Sequence, residues 1–237
     1  MFEPMRADLE ARMVPLEFAT VPEIWEGKND PYLQFCDLVE QVLKDDTVDC
    51  VTVDGTDLYY RAVSNSYCAY KKVLDPKAMN DFGASWDRID ELFNAPLHQL
   101  RKANKGVILI SHSAVKDVET IDGTVIEVVN PALTGRALKI VKEMCGIVLY
   151  YGHFPGQRGA IRVRDFEGKL WCSVGPKNRF MQPNGKPLEM FGIPDNSQKP
   201  GLGFETLNAA FNNQVWDLNT SEEEKEGKER KQVVRRK

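Results

Sequence analysis

Three short apolar runs constrain this chain more than anything else in it. They are Val48 to Val53, Val107-Ile108-Leu109-Ile110, and Ile147 to Tyr151. A run of this length bounded by turn residues reads as a strand buried on both faces. Two such strands with a helix between them call for parallel pairing, because a parallel connection needs a long crossover. The expected fold class is therefore α/β, with a mainly parallel sheet between two helical layers.

The intervening segments carry helical spacing. Asp30-Pro31 offers an N-cap followed by proline at the first helical position. Tyr32, Phe35, Leu38, Val39, Val42 and Leu43 then recur on one face, to about Lys44. A second helix is expected from Thr56 to about Lys72. Ser85 can cap a third, with Trp86, Ile89, Leu92, Phe93, Leu97 and Leu100 on one face and a kink at Pro96. Asn130-Pro131 opens a fourth, closed by Gly146. Two β-rich runs flank Asp122-Gly123 between Val118 and Val129, a hairpin signal. Ala160 to Arg164 and Leu170 to Val174 read as another hairpin around Glu167-Gly168. Phe204 to Phe211 reads as a short helix.

These elements divide the chain into an irregular segment 1–28, a core 29–180, an extended arm with a short helix 181–216, and a charged tail 217–237. The last twenty residues hold five acids and seven bases, a net of +2, so the body carries −6 of the chain's −4. Such a balance excludes a polycation that binds nucleic acid by bulk charge. Five cysteines without a C-x-x-C spacing argue against a disulfide framework or a zinc site, and for a reducing compartment. Met1 to Met13 is charged throughout, so no signal peptide is expected. No apolar stretch reaches the roughly 18 residues of a membrane helix.

The first candidate for chemistry is Asp54, at the tip of the first apolar strand. Parallel sheets bind ligands at that edge, where an acid can hold Mg²⁺ directly or through water. The alternative is a turn residue, since Asp54-Gly55-Thr56-Asp57 is itself turn-prone. Val53-Asp54-Gly55-Thr56 also matches part of the phosphatase pattern D-x-D-G-T. Thr52 occupies the place of the nucleophilic carboxylate, which excludes that chemistry. His112 follows the second strand at the same edge and has two readings, a group that orients water or senses a phosphate, and a locally bonded loop histidine. Lys116 in the next segment can reach nucleic-acid phosphate. Lys177 and Arg179 stand one residue apart in Lys177-Asn178-Arg179-Phe180, so an extended backbone directs both side chains the same way. They suit either charge neutralisation on a phosphoryl group or a solvated basic turn.

Taken in order, these pieces resemble the RecA-like ATPase core, and within it the RadA and DnaB branch. RadA proteins carry a G-H-x-T-K segment, then V-L-Y-F-E-G, then K-N-R-F-G. This chain has Ser111-His112-Ser113-Ala114-Val115-Lys116, then Ile147-Val148-Leu149-Tyr150-Tyr151-Gly152, then Lys177-Asn178-Arg179-Phe180. The whole is also similar to single-domain RecA-like ATPases that phages use in DNA recombination. The resemblance implies a three-layer core incomplete at its N-terminal edge, and ATP and Mg²⁺ as cofactors. By position it assigns Asp54 as the Walker B acid that holds the metal and His112 as the strand-tip sensor. Lys177 and Arg179 become the pair that reaches a neighbouring subunit's nucleotide. Residues 113–129, with Lys116, fall where the family contacts single-stranded DNA. It further implies a homo-oligomer, or a partner subunit that carries a P-loop, in the cytoplasm of a bacterial or phage-infected cell.

The chain departs from this family in one respect above all. Gly-Lys pairs occur at Gly27, Gly168, Gly185 and Gly227, and none continues with Ser or Thr, so no G-x-x-x-x-G-K-[ST] is present. Phe180 is followed by Met181 rather than glycine, and Glu17 and Glu23 are the early acids available for a catalytic role. The departure leaves two expectations: a truncated ATPase, or a non-catalytic subunit that donates Lys177 and Arg179 to a partner.

Overall fold

The computed structural model describes residues 13–119, 121–152, 160–162, 169–171, 180–186, 188, 190–192, 202–217 and 220. These fall into two compact units. One holds Arg12–Ala114 and Asn130–Met144; the other holds Val115–Val129 and the described residues from Cys145 onward.

In the first unit, helix α1 (Val21–Trp25) leads into α2 (Pro31–Lys44), strand β1 (Cys50–Asp54), α3 (Thr56–Lys71), a 3-10 turn (Pro76–Met79), α4 (Ala84–Lys102) and β2 (Gly106–Ile110). Helix α5 (Gly135–Met144) completes it. The start of α2 is the expected one: the Asp30 carboxylate accepts from the amides of Tyr32 and Leu33, and Pro31 sits where no donor is required. Their apolar stripes bring α2, α3 and α4 together over Val39, Val63, Ile89, Phe93, Leu97 and Leu100, all almost wholly buried. Phe35, Tyr59, Tyr60 and Phe93 pack ring to ring, with centroids 4.6 to 5.2 Å apart.

Pro96 lies inside α4, yet the helix runs on to Lys102. Proline lacks the N–H that would reach the Leu92 carbonyl one turn back. The Tyr32 hydroxyl donates to that carbonyl instead, at 3.1 Å, while the Tyr59 hydroxyl donates to Phe93 O at 3.0 Å. A neighbouring helix thus repairs what the proline removes.

Strands β1 and β2 pair parallel, with Val53 opposite Leu109 and Asp54 opposite Ile110. Among the described residues the expected cover on both faces is not found. Val53 is buried, but Thr52, Ile108 and Ile110 on the alternate face are exposed, Ile108 to 52 %. The helical layer α2–α3–α4 supplies apolar side chains to one face only.

In the second unit, β3 (Ser113–Glu119) and β4 (Val125–Pro131) are neighbours around Gly123, whose φ of +80° fits the expected turn. The remaining strands are β5 (Tyr150–Gly152), β6 (Ala160–Arg162), β7 (Lys169–Trp171) and β8 (Met190–Gly192), followed by α6 (Leu202–Phe211). Here three expectations give way. Ile147 to Tyr151 is not a third parallel strand, because only Tyr150–Gly152 enters a ladder, antiparallel to β6. Among the described residues the second hairpin is not found: β6 lies between β5 and β8, and β7 pairs parallel with β4. The described strands therefore make three small sheets of two, three and three strands, not one mainly parallel sheet. Short strands take their partners from distant contacts, which local spacing does not encode.

The apolar run is partly buried rather than fully buried, and Tyr151 at its end is exposed. Ile147 and Leu149 pack against the cluster of Phe180, Leu188, Phe191 and Ala210, and Val148 and Tyr150 against Val129. That alternation is the period of an extended segment between two apolar surfaces.

Smaller differences follow local chemistry. The N-cap of α4 is Gly83 rather than Ser85; the Ser85 hydroxyl bonds the Asp81 carboxylate from inside the first turn. Helix α5 begins at Gly135, because Asn130 and Pro131 finish β4. Glu23 is occupied as a cap, accepting from the Thr20 amide and hydroxyl at 2.7 Å each. Cys36, Cys50 and Cys68 are free thiols, of which only Cys68 is buried; Cys145 is half-buried, and Cys172 lies outside the described residues. No helix among the described residues is long and apolar enough to cross a membrane.

Candidate functional site

The parallel register of β1 and β2 brings two predicted residues to one edge. Asp54 ends β1 opposite Ile110, and His112 follows Ile110 by two residues. Asp54 is exposed, and its carboxylate has no hydrogen-bond or ion-pair partner among the described residues. The turn after it is held by β2: the Gly55 amide and the Thr56 hydroxyl both donate to the Ile110 carbonyl, at 3.1 and 2.8 Å. Gly55 has φ +84°, a left-handed backbone that side chains resist, so the step from strand to helix at this point depends on glycine.

That turn launches α3 with Asp57 in its first turn, where a carboxylate is favoured by the helix dipole. Asp57 is largely shielded, at 16 % side-chain exposure, and its Oδ2 lies 3.4 Å from His112 Nδ1. The Ser111 hydroxyl donates to Asp57 Oδ1 at 3.5 Å and, in another geometry, to His112 O at 3.1 Å. The His112 carbonyl also accepts from the Ala132 amide at 2.7 Å, while its ring is 77 % exposed. His112 is therefore not an isolated loop residue. Its partner Asp57 was read from sequence only as part of a turn, although an acid two residues into a helix that starts at a strand tip is a usable signal.

Lys116 is exposed on β3 and belongs to the other unit. Lys177 and Arg179 lie outside the described residues.

Mg²⁺ takes hard oxygen donors, commonly one or two carboxylates completed by waters and substrate phosphates. An exposed, unpartnered Asp54 has the chemistry of such a donor. Among the described residues no three His, Cys, Asp or Glu gather into an all-protein cage. Asp54 alone would supply a single protein ligand to such an ion. The sequence offers no G-x-x-x-x-G-K-[ST] to hold that ligand's phosphates.

Comparison with known proteins supplies the family. No curated protein and no solved structure matched the chain. The family model described as AAA domain matches residues 4–169, well over half of the 237. That stretch contains β1, α3, β2 and the Asp54–His112 edge, and the chain belongs to the AAA-domain family of P-loop NTPases.

Proposed function

We propose that the chain is a RecA-like, Mg²⁺·ATP-dependent protein of DNA recombination or replication, of the kind that phages encode. The observation that carries this reading is the convergence of Asp54 and His112 on one edge of a parallel strand pair. In it, the parallel pair β1 and β2 carries the nucleotide edge. Asp54 accepts hydrogen bonds from the metal's waters or ligates it directly. His112 orients a water at the neighbouring strand tip. Mg²⁺, when bound, supplies neutralisation of phosphate charge. Lys177 and Arg179 reach the nucleotide of an adjacent subunit in a homo-oligomer, and Lys116 contacts the phosphates of single-stranded DNA.

Calorimetry of the full chain with ATP, with and without Mg²⁺, tests the reading. Metal-dependent binding that weakens on Asp54→Asn is expected. Binding that ignores both Mg²⁺ and Asp54 would remove this edge from the nucleotide site. Single-stranded DNA binding, if Lys116 takes part, weakens with rising salt and on Lys116→Ala.

A second reading is favoured by a specific observation, the lack of G-x-x-x-x-G-K-[ST] in these 237 residues. The chain is then a non-catalytic subunit that donates Lys177 and Arg179 to a partner owning a P-loop. It predicts no ATP binding alone, and stimulation of the partner's ATPase that Arg179→Ala abolishes. An unchanged stimulated rate in Arg179→Ala would exclude the donated arginine.

A further inference from the structure

The geometry points to a head-to-tail contact between copies of this chain, in which Phe82 of one copy docks on the uncovered face of β1 and β2 of the next. Phe82 is wholly exposed, and its backbone is left-handed, with φ +55°. A bulky side chain rarely adopts such a backbone, and a ring left in water gains nothing from burial. Two unfavourable features thus meet in one residue, and packing within its own chain offsets neither.

The turn that presents Phe82 is firmly built. The Asp81 carboxylate accepts from the Gly83 amide at 3.3 Å, from the Ser85 amide at 3.0 Å, and from the Ser85 hydroxyl. The Asp81 carbonyl accepts from the Ala84 amide at 3.2 Å. Gly83, at φ +99°, then caps the 19-residue helix α4. An anchor held in place beforehand gives up little freedom on docking.

The receiving face lies on the same compact unit. The parallel register sets Thr52 beside Ile108 and Asp54 beside Ile110. Ile108 is 52 % and Ile110 46 % exposed, and Thr52 is exposed with them. A second copy is the occupant because it brings the complement of both patches: its face covers the ring, and its ring covers the face. Ring and face are different patches, so the contact is heterologous and each copy keeps one patch free for a further neighbour. Since Ile110 stands opposite Asp54, the docked copy borders the candidate edge. The inference rests on the homo-oligomer of the reading above and names its contact.

Sedimentation velocity of the full chain over a concentration series, without nucleotide, tests the contact. Expected is a mass that rises with concentration. Phe82→Asp and Ile108→Asp should each weaken association by about thirty-fold or more, the effect of losing a central anchor. Mixing the two variants discriminates further. Ile108→Asp keeps the ring and Phe82→Asp keeps the face, so two chains that are monomers alone should form a one-to-one dimer and nothing larger. A mixture that stays monomeric overturns the inference. So does Phe82→Asp associating as tightly as the wild type, which leaves the homo-oligomer standing on some other contact. A wild-type chain that is monomeric at every concentration removes the homo-oligomer and this contact together.

Discussion

The helical layer α2–α3–α4 and the cluster around Phe191 are both well buried, but they are assembled over different reaches. The first takes its core from stripes on helices of 14, 16 and 19 residues, each satisfying its own backbone. The second collects Phe180, Leu188, Phe191 and Ala210 from a turn, a three-residue strand and α6. Strand β8 gains one further tie where the Met190 amide donates to the buried Asp217 carboxylate at 2.9 Å. The contrast teaches where order comes from. In the helical layer local bonding and packing reinforce each other, whereas around Phe191 packing must hold together strands too short to stand alone.

The largest effects come from emptying each core. Phe93 and Phe191 are both wholly buried, so replacing either by alanine should cost about 3–5 kcal/mol. The consequences should differ. With Phe93→Ala, helix content by circular dichroism falls little at low temperature, since Val39, Val63, Ile89, Leu97 and Leu100 remain. With Phe191→Ala, hydrogen exchange at Met190–Gly192 should lose its protection first, while α2–α4 keep theirs. Equal loss of protection in both regions would break the contrast.

An intermediate effect tests the repair of α4. Tyr32→Phe strands the Leu92 carbonyl and should cost about 1–2 kcal/mol in urea denaturation. Pro96→Ala restores an N–H to the same carbonyl, so the Tyr32→Phe cost should shrink in that background. Additive costs in the double mutant would show that the hydroxyl does not serve the proline.

The smallest effect is confined to alkaline pH. Burial, and then the hydrogen bond to Asp90, push the Tyr60 phenol up to about 12 from its ordinary value near 10. A folded-state value raised in this way favours the native protein below the unfolded value, and the advantage disappears as pH climbs through the folded one. Stability of the helical layer should therefore decline between about pH 10 and 12, less steeply in Tyr60→Phe. An identical decline in that variant would assign the loss to other groups. Cys68, pushed up to about 11 by burial, is the next to examine.

The same contrast explains what the sequence disclosed. Helix α2 starts at the expected proline, and β1, α3 and β2 lie within two residues of their expected bounds, because caps and 3.6-residue stripes are local. The chain's apolar run at Ile147 indicates partial burial but not partners: β5 pairs with β6, and β7 with β4. The site divides in the same way. Asp54 and His112 were visible as strand tips. Asp57 was not visible as the partner of His112, since that contact spans the whole crossover from α3 to the end of β2.

The central claim is that the edge of β1 and β2 handles a metal–nucleotide. Paramagnetic broadening by Mn²⁺, a substitute for Mg²⁺, tests it in the full chain with ATP present, and detects weak binding as readily as tight. Broadening centred on the amides of Asp54 to Asp57 and Ile110 to His112, and lost in Asp54→Asn, is the expected result. Broadening that spares this edge, or that persists unchanged in Asp54→Asn, would contradict the claim.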